Sequence, residues 1–205
     1  MNNRDKVIDK LRELIYNFKD IDKYKSISFI GSLSDGDRAS DVDLVSIGDE
    51  KTHRAFKKYL KSEFLKEGIN IIFFKSIVDK HRFDGDNIMF HDLHYSSLNS
   101  FLKKEWKSVI NTIKKENIVL YGENFSIKIP YQDITFSDFF SPLYSWSRKI
   151  NSQKNFTIFQ AYLLSIEKRF YEYGFDNEFK KIKLIINSNI SWKNKLNQIW
   201  DILKV

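Results

Sequence analysis

With 205 residues, 42% of them hydrophobic and 16% aromatic, the chain can bury a core in one large or two small domains, which excludes a disordered polymer. The absence of cysteine excludes disulfides and Cys-ligated zinc, and no apolar run approaches the ~20 residues that a membrane helix needs. The net charge of +7 makes the surface mildly attractive to polyanions. The charged first segment, MNNRDKVIDKLREL, lacks the apolar centre of a signal peptide, so a cytoplasmic protein is expected.

Val7, Ile8, Leu11, Leu14, Ile15 and Phe18 recur at helical spacing and predict an amphipathic helix over 4–18. Short strands are expected over 26–30, ending at Gly31, and over 41–47. A helix over 51–66 carries Phe56, Tyr59, Leu60 and Phe64 on one face, with Gly68 as its stop. Residues 69–75, INIIFFK, are apolar apart from Asn70 and Lys75 and predict a strand buried on both faces. A loop follows around Asp84-Gly85-Asp86, then a strand over 88–95.

One helix is predicted over 98–116, with Phe101, Leu102, Trp106, Val109, Ile110 and Ile113 facing inward. A short apolar segment, 118–121, ends at Gly122, and the irregular stretch 123–135 with Pro130 marks a domain boundary. Beyond it the pattern is helical. Ser137 or Asp138 caps a helix running to about Ile150; others are expected over 156–173, 177–187 and 191–203, the last capped by Ser191. The fold class is therefore α/β: a mixed-sheet domain over 1–130, then a bundle of antiparallel helices over 131–205.

The stretch 27–47, ISFIGSLSDGDRASDVDLVSI, is where the chemistry concentrates. Residues 34–50 hold Asp35, Asp37, Asp41, Asp43, Asp49 and Glu50 against Arg38 alone, an acidic pocket in a basic chain. Side chains alternate along a strand, so Asp41 and Asp43 share one face while Val42 and Leu44 turn to the core. Magnesium takes hard oxygen ligands and keeps several waters, so two carboxylates plus phosphate oxygens suffice. Gly31 and Ser32, where a strand meets a turn, suit backbone and hydroxyl contacts to a polyphosphate. Arg38 can touch phosphate or neutralise Asp35 or Asp37.

Gly31-Ser32, Gly36 and Ser40-Asp41-Val42-Asp43-Leu44 resemble the signature of the polymerase-β-like nucleotidyltransferase superfamily, which reads apolar, Gly-Ser, variable loop, Asp-apolar-Asp-apolar. The flanking order of helices and strands agrees over residues 1–120, and the C-terminal helices resemble those of antibiotic nucleotidyltransferases. The resemblance implies a magnesium-dependent enzyme, using two ions about 3.5–4 Å apart. It would move a nucleoside monophosphate from a nucleoside triphosphate, ATP by preference, to a hydroxyl, and a small-molecule acceptor is expected over RNA or protein. Asp41 and Asp43 would hold the metal, and Gly31, Ser32 and Arg38 the nucleotide.

The superfamily adds a third carboxylate, usually on the next core strand. Here that strand offers Asn70, an amide that cannot act as a base. Two readings follow: Asp92, one strand further on, completes the catalytic set, or the chain binds nucleotide as a regulatory protein with little or no turnover, as in a toxin–antitoxin partner. An enzyme acting on RNA ends is a third reading, motivated by the net charge.

Other features carry less. His91 and His94 are three apart and point to opposite strand faces, which argues against zinc, whereas Asp92 and His94 share a face. Lys103, Lys104, Lys107, Lys114 and Lys115 read as the solvated side of a helix or as a phosphate contact. Phe136, Phe139, Phe140, Tyr144 and Trp146 read as core, with Tyr144 and Trp146 open to lining an acceptor cleft.

Overall fold

Runs of β-branched and aromatic residues build one five-stranded sheet among the residues described by the computed structural model, which are 3–30, 41–74 and 88–204. Its strands are β1 (Tyr24–Ile30), β2 (Asp41–Gly48), β3 (Ile71–Phe74), β4 (Ile88–Tyr95) and β5 (Ile118–Gly122), in the spatial order β3-β4-β2-β1-β5. β1 pairs antiparallel with β2 and β5, while β4 pairs parallel with β2 and β3, so the sheet is mixed. Gly31, Ser32, Arg38, the loop at Asp84-Gly85-Asp86 and the side chain of Asp41 lie outside the described residues. The chain divides into two units, Met1–Gln132 and Asp133–Val205.

In the first unit, helices cover both faces of the sheet. Helix α1 (Asn3–Tyr16) buries Leu11, Leu14 and Ile15, and helix α2 (Glu50–Lys66) buries Phe56, Leu60 and Phe64. These pack with Phe29, Val42, Leu44 and Phe90 into one core. Asp49 caps α2 by accepting from the Thr52 amide at 2.7 Å, and Gly68 follows the helix end at φ 74°, a left-handed conformation that suits glycine. Emptying such a site, for example Phe56→Ala or Phe90→Ala, would cost about 3–5 kcal/mol.

The opposite face carries Ile30, Val45 and Ile47, packed with Tyr95, Phe101, Ile110, Ile113 and Phe125. The predicted helix 98–116 is two helices, α3 (Leu98–Lys104) and α4 (Lys107–Lys115). Glu105 and Trp106 between them are extended, at ψ 154° and 139°, and the Glu105 carboxyl accepts from the Tyr95 hydroxyl. Trp106, expected inside, is half exposed. The lysines therefore fall on two helices, where Lys114 donates to the Ile129 carbonyl at 2.6 Å and Lys115 lies over the Tyr131 ring. β3, expected to be buried on both faces, is the edge strand of the described sheet: Ile71 and Phe74 are buried but Ile72 and Phe73 only partly.

The second unit is helical. Its core gathers Phe139 and Phe140 of α5 (Phe136–Ser147) and Phe156, Phe159 and Leu163 of α6 (Gln153–Ser165). It is completed by Phe170 of α7 (Glu167–Glu172), Phe179 and Ile182 of α8 (Asp176–Asn187), and Leu196 and Ile199 of α9 (Trp192–Leu203). Thr135, rather than Ser137 or Asp138, caps α5, and Asp138 returns the bond in a capping box. The predicted helix 156–173 breaks at Ile166. Trp146 packs on Phe159 and Tyr162, as part of the bundle's own aromatic core.

Candidate active site

The parallel register of β2 and β4 decides which side chains can meet. It pairs Asp41 with Met89, Asp43 with His91, Leu44 with Asp92 and Ser46 with His94. Laterally paired residues share a sheet face and successive residues alternate, so Asp43 and His91 stand on one face while Asp92 and His94 stand on the other.

On the first face, the Asp43 side chain is 23% exposed and its Oδ1 lies 2.8 Å from His91 Nδ1. An ionised carboxylate only accepts, so Nδ1–H donates. The His91 ring stacks on Phe74, centroids 5.0 Å apart and planes 11° from parallel. Asp41 holds the position two residues earlier on the same strand face, paired with Met89. Neither Met89 nor His91 was singled out as part of this site from the sequence. The signal that finds them is the strand register, which local patterning does not contain.

Asp92 is a correction. It is buried on the face that packs against α2, accepting from His53 Nε2 at 3.0 Å and Lys57 Nζ at 2.9 Å. It therefore does not complete a site with Asp43. Burial pushes its carboxyl up, but the His53 and Lys57 hydrogen bonds and charges outweigh this and hold it below the usual carboxylate range. The network continues inward. His53 Nδ1 lies 3.0 Å from the Tyr24 hydroxyl, while its Nε2 faces Asp92. Ser46 Oγ lies 2.9 Å from His94 Nδ1. A polar pocket of about 200 Å³ opens here, lined by Glu50, His53, Lys57, Asp92, His94 and Glu105 among others, and Asp43 does not line it.

This architecture has a solved counterpart. A structure of spectinomycin adenyltransferase AAD(9) from Enterococcus faecialis, with ATP and spectinomycin, is similar over 97% of this chain and 98% of that one, with a TM-score of 0.52 and 15% sequence identity. The fold is that of a nucleotidyltransferase. No protein-family model and no curated protein matches the chain in sequence. In this nucleotidyltransferase fold, a mixed sheet carries the Asp41/Asp43 strand and a helical part follows.

The donor set suits magnesium. Asp43 offers a partly exposed carboxylate, held by His91, beside the position of a second aspartate, and magnesium is bound through one or two carboxylates plus phosphate oxygens. Among the described residues, no group of three or more His, Asp or Glu side chains could hold a metal ion. No described helix is long and apolar enough to cross a membrane.

Proposed function

We propose that the chain is a magnesium-dependent nucleotidyltransferase that moves a nucleoside monophosphate from ATP to a hydroxyl of a small molecule. The observation that carries this is the strand β2, on which Asp43 stands partly exposed two residues after Asp41, in the fold of an ATP-bound adenyltransferase. Asp41 and Asp43 would hold the magnesium, and Gly31, Ser32 and Arg38 would bind the triphosphate. The acceptor oxygen attacks the α-phosphorus as the bond to the β-phosphate oxygen breaks; pyrophosphate leaves and the hydroxyl proton passes to solvent. Bound magnesium would neutralise charge on the phosphates and favour pyrophosphate as leaving group. Asp43, oriented by His91, keeps one fixed carboxylate at that position, which lowers the reorganisation needed when nucleotide binds. The test is transfer of label from α-labelled ATP to a panel of hydroxyl-bearing small molecules. Label transfer matched by pyrophosphate release and abolished by EDTA supports the reading; nucleotide binding without transfer to any acceptor contradicts it.

One observation favours a second reading. Met89 and His91, not carboxylates, stand on β4 beside Asp41 and Asp43. A chain that binds nucleotide and magnesium but turns over slowly or not at all, as a regulatory protein, fits that arrangement. Calorimetry with magnesium and a non-hydrolysable ATP analogue, run beside the transfer assay, separates the two.

A further inference from the structure

We propose that His91 is the positioning residue of Asp43, and that the carboxylate it orients holds a divalent cation in company with the phosphates of a bound nucleotide. The inference rests on the nucleotidyltransferase reading and specifies how its metal is recruited.

Three observations carry it. First, β4 lies directly beside β2, and the two positions that share a face with Asp41 and Asp43 are a thioether, Met89, and an imidazole, His91. Second, His91 Nδ1–H is committed to Asp43 Oδ1 at 2.8 Å. That nitrogen is not a metal donor while the bond stands. The bond instead takes one lone pair of Oδ1 and sets the rotation of the carboxylate, as partners of metal-bound carboxylates do. The ring itself is fixed by the Phe74 stack, and Phe74 is its register partner on β3. Third, among the described residues, Glu105 is engaged by the Tyr95 hydroxyl, and burial pushes its carboxyl up toward the neutral form. It is a poor third anion.

Two carboxylates and several waters hold magnesium or manganese weakly; phosphate oxygens supply the remaining charge. His91 thus acts through Asp43, and its removal alters metal binding rather than nucleotide recognition alone.

The test uses the full chain, Mn²⁺ as a paramagnetic probe and a non-hydrolysable ATP analogue. Mn²⁺ binding is read by electron paramagnetic resonance, and nucleotide binding separately by a fluorescent analogue. With nucleotide, wild-type Mn²⁺ affinity rises about 100-fold or more over the nucleotide-free protein. His91→Ala lowers the nucleotide-assisted Mn²⁺ affinity by about 10–100-fold. His91→Asn, whose amide can donate the same bond, retains most of it at an unchanged melting temperature. His91→Asp supplies a third carboxylate and raises nucleotide-free Mn²⁺ affinity about 10-fold or more. Wild-type Mn²⁺ affinity that ignores bound nucleotide overturns the inference and leaves the nucleotidyltransferase reading standing. So does His91→Ala behaving as wild type, or His91→Asp gaining nothing. Failure to bind any nucleotide overturns both.

Discussion

The imidazoles of His53 and His94 lie face to face beneath α2, with ring centroids 3.9 Å apart and planes 3° from parallel. Ser46 reaches toward both rings, Tyr24 and Asp92 hold His53, and Glu50 stands 3.8 Å from His94 Nε2. Charging one ring opposes charging the other. Burial, followed by the His53 charge, lowers the His94 pKa from 6.5 to about 4, against the pull of Glu50 and Asp92 and with a further lowering by Lys57.

Acid should therefore loosen the fold through His94. Its folded pKa is below its unfolded one, so the unfolded chain binds the extra proton. Stability is complete above pH 6.5 and declines as pH falls toward about 4. The shift amounts to about 3 kcal/mol. Asp92, held low, loses its contribution only as pH falls further, below 3.8. Glu105 works in the opposite sense, since its carboxyl is raised: its contribution is lost as pH climbs above 4.5. Urea unfolding of the wild type and His94→Phe between pH 7.5 and 4.5 isolates the histidine. The variant should show the flatter profile; parallel profiles would remove His94 as the cause.

Asp92 is a structural charge, and its replacement should read as such. Asp92→Ala leaves Lys57 and the His53 Nε2–H without their buried partner, and breaking a buried ion pair costs about 3–5 kcal/mol. Denaturant midpoints should fall accordingly. At temperatures where the variant remains folded, ATP-analogue affinity should match wild type. A selective loss of nucleotide binding at full stability would return Asp92 to the active site.

Gly122 is the most closely approached of the described glycines. It sits at φ 74° at the end of β5, and a Cβ built there would lie 2.2 Å from the Lys25 carbonyl oxygen on β1. Gly122→Ala must separate the two strands as well as strain the backbone, and a loss of about 2–4 kcal/mol is expected by thermal unfolding. Gly68, also at φ 74°, meets nothing within 4 Å, so Gly68→Ala should cost only about 1 kcal/mol. Equal losses at the two sites would show that contact plays no part.

Much of this architecture is local and so legible in the sequence. The stripes Phe56–Leu60–Phe64 and Leu196–Ile199–Leu203 mark helices, Ser191 caps the second, and Asp41 and Asp43 alternate with Val42 and Leu44. What was not legible depends on pairing between distant segments. Asp92 has the right charge and strand, but the β2/β4 register puts it opposite Leu44 rather than Asp43, and an offset of one residue reverses the face. The helical period runs unbroken through Glu105, which leaves the helix to meet Tyr95. The apolar run of β3 does not declare its place at the sheet edge. His53 sat on the apolar stripe of α2, three residues before Phe56, and its place in that stripe was the available sign of a buried polar network.

The proposed nucleotidyl transfer rests on the β2 aspartates. The measurement is release of pyrophosphate and label transfer from α-labelled ATP, in magnesium, by wild type and Asp43→Ala at matched melting temperature. Asp43 accepts its bond from His91 at a partly exposed position, so its truncation should leave the fold intact. Transfer by the wild type and a loss of about 100-fold or more in Asp43→Ala is the predicted result, in line with removing a charge-stabilising group from an active site. Equal transfer by the two proteins would contradict that role for Asp43.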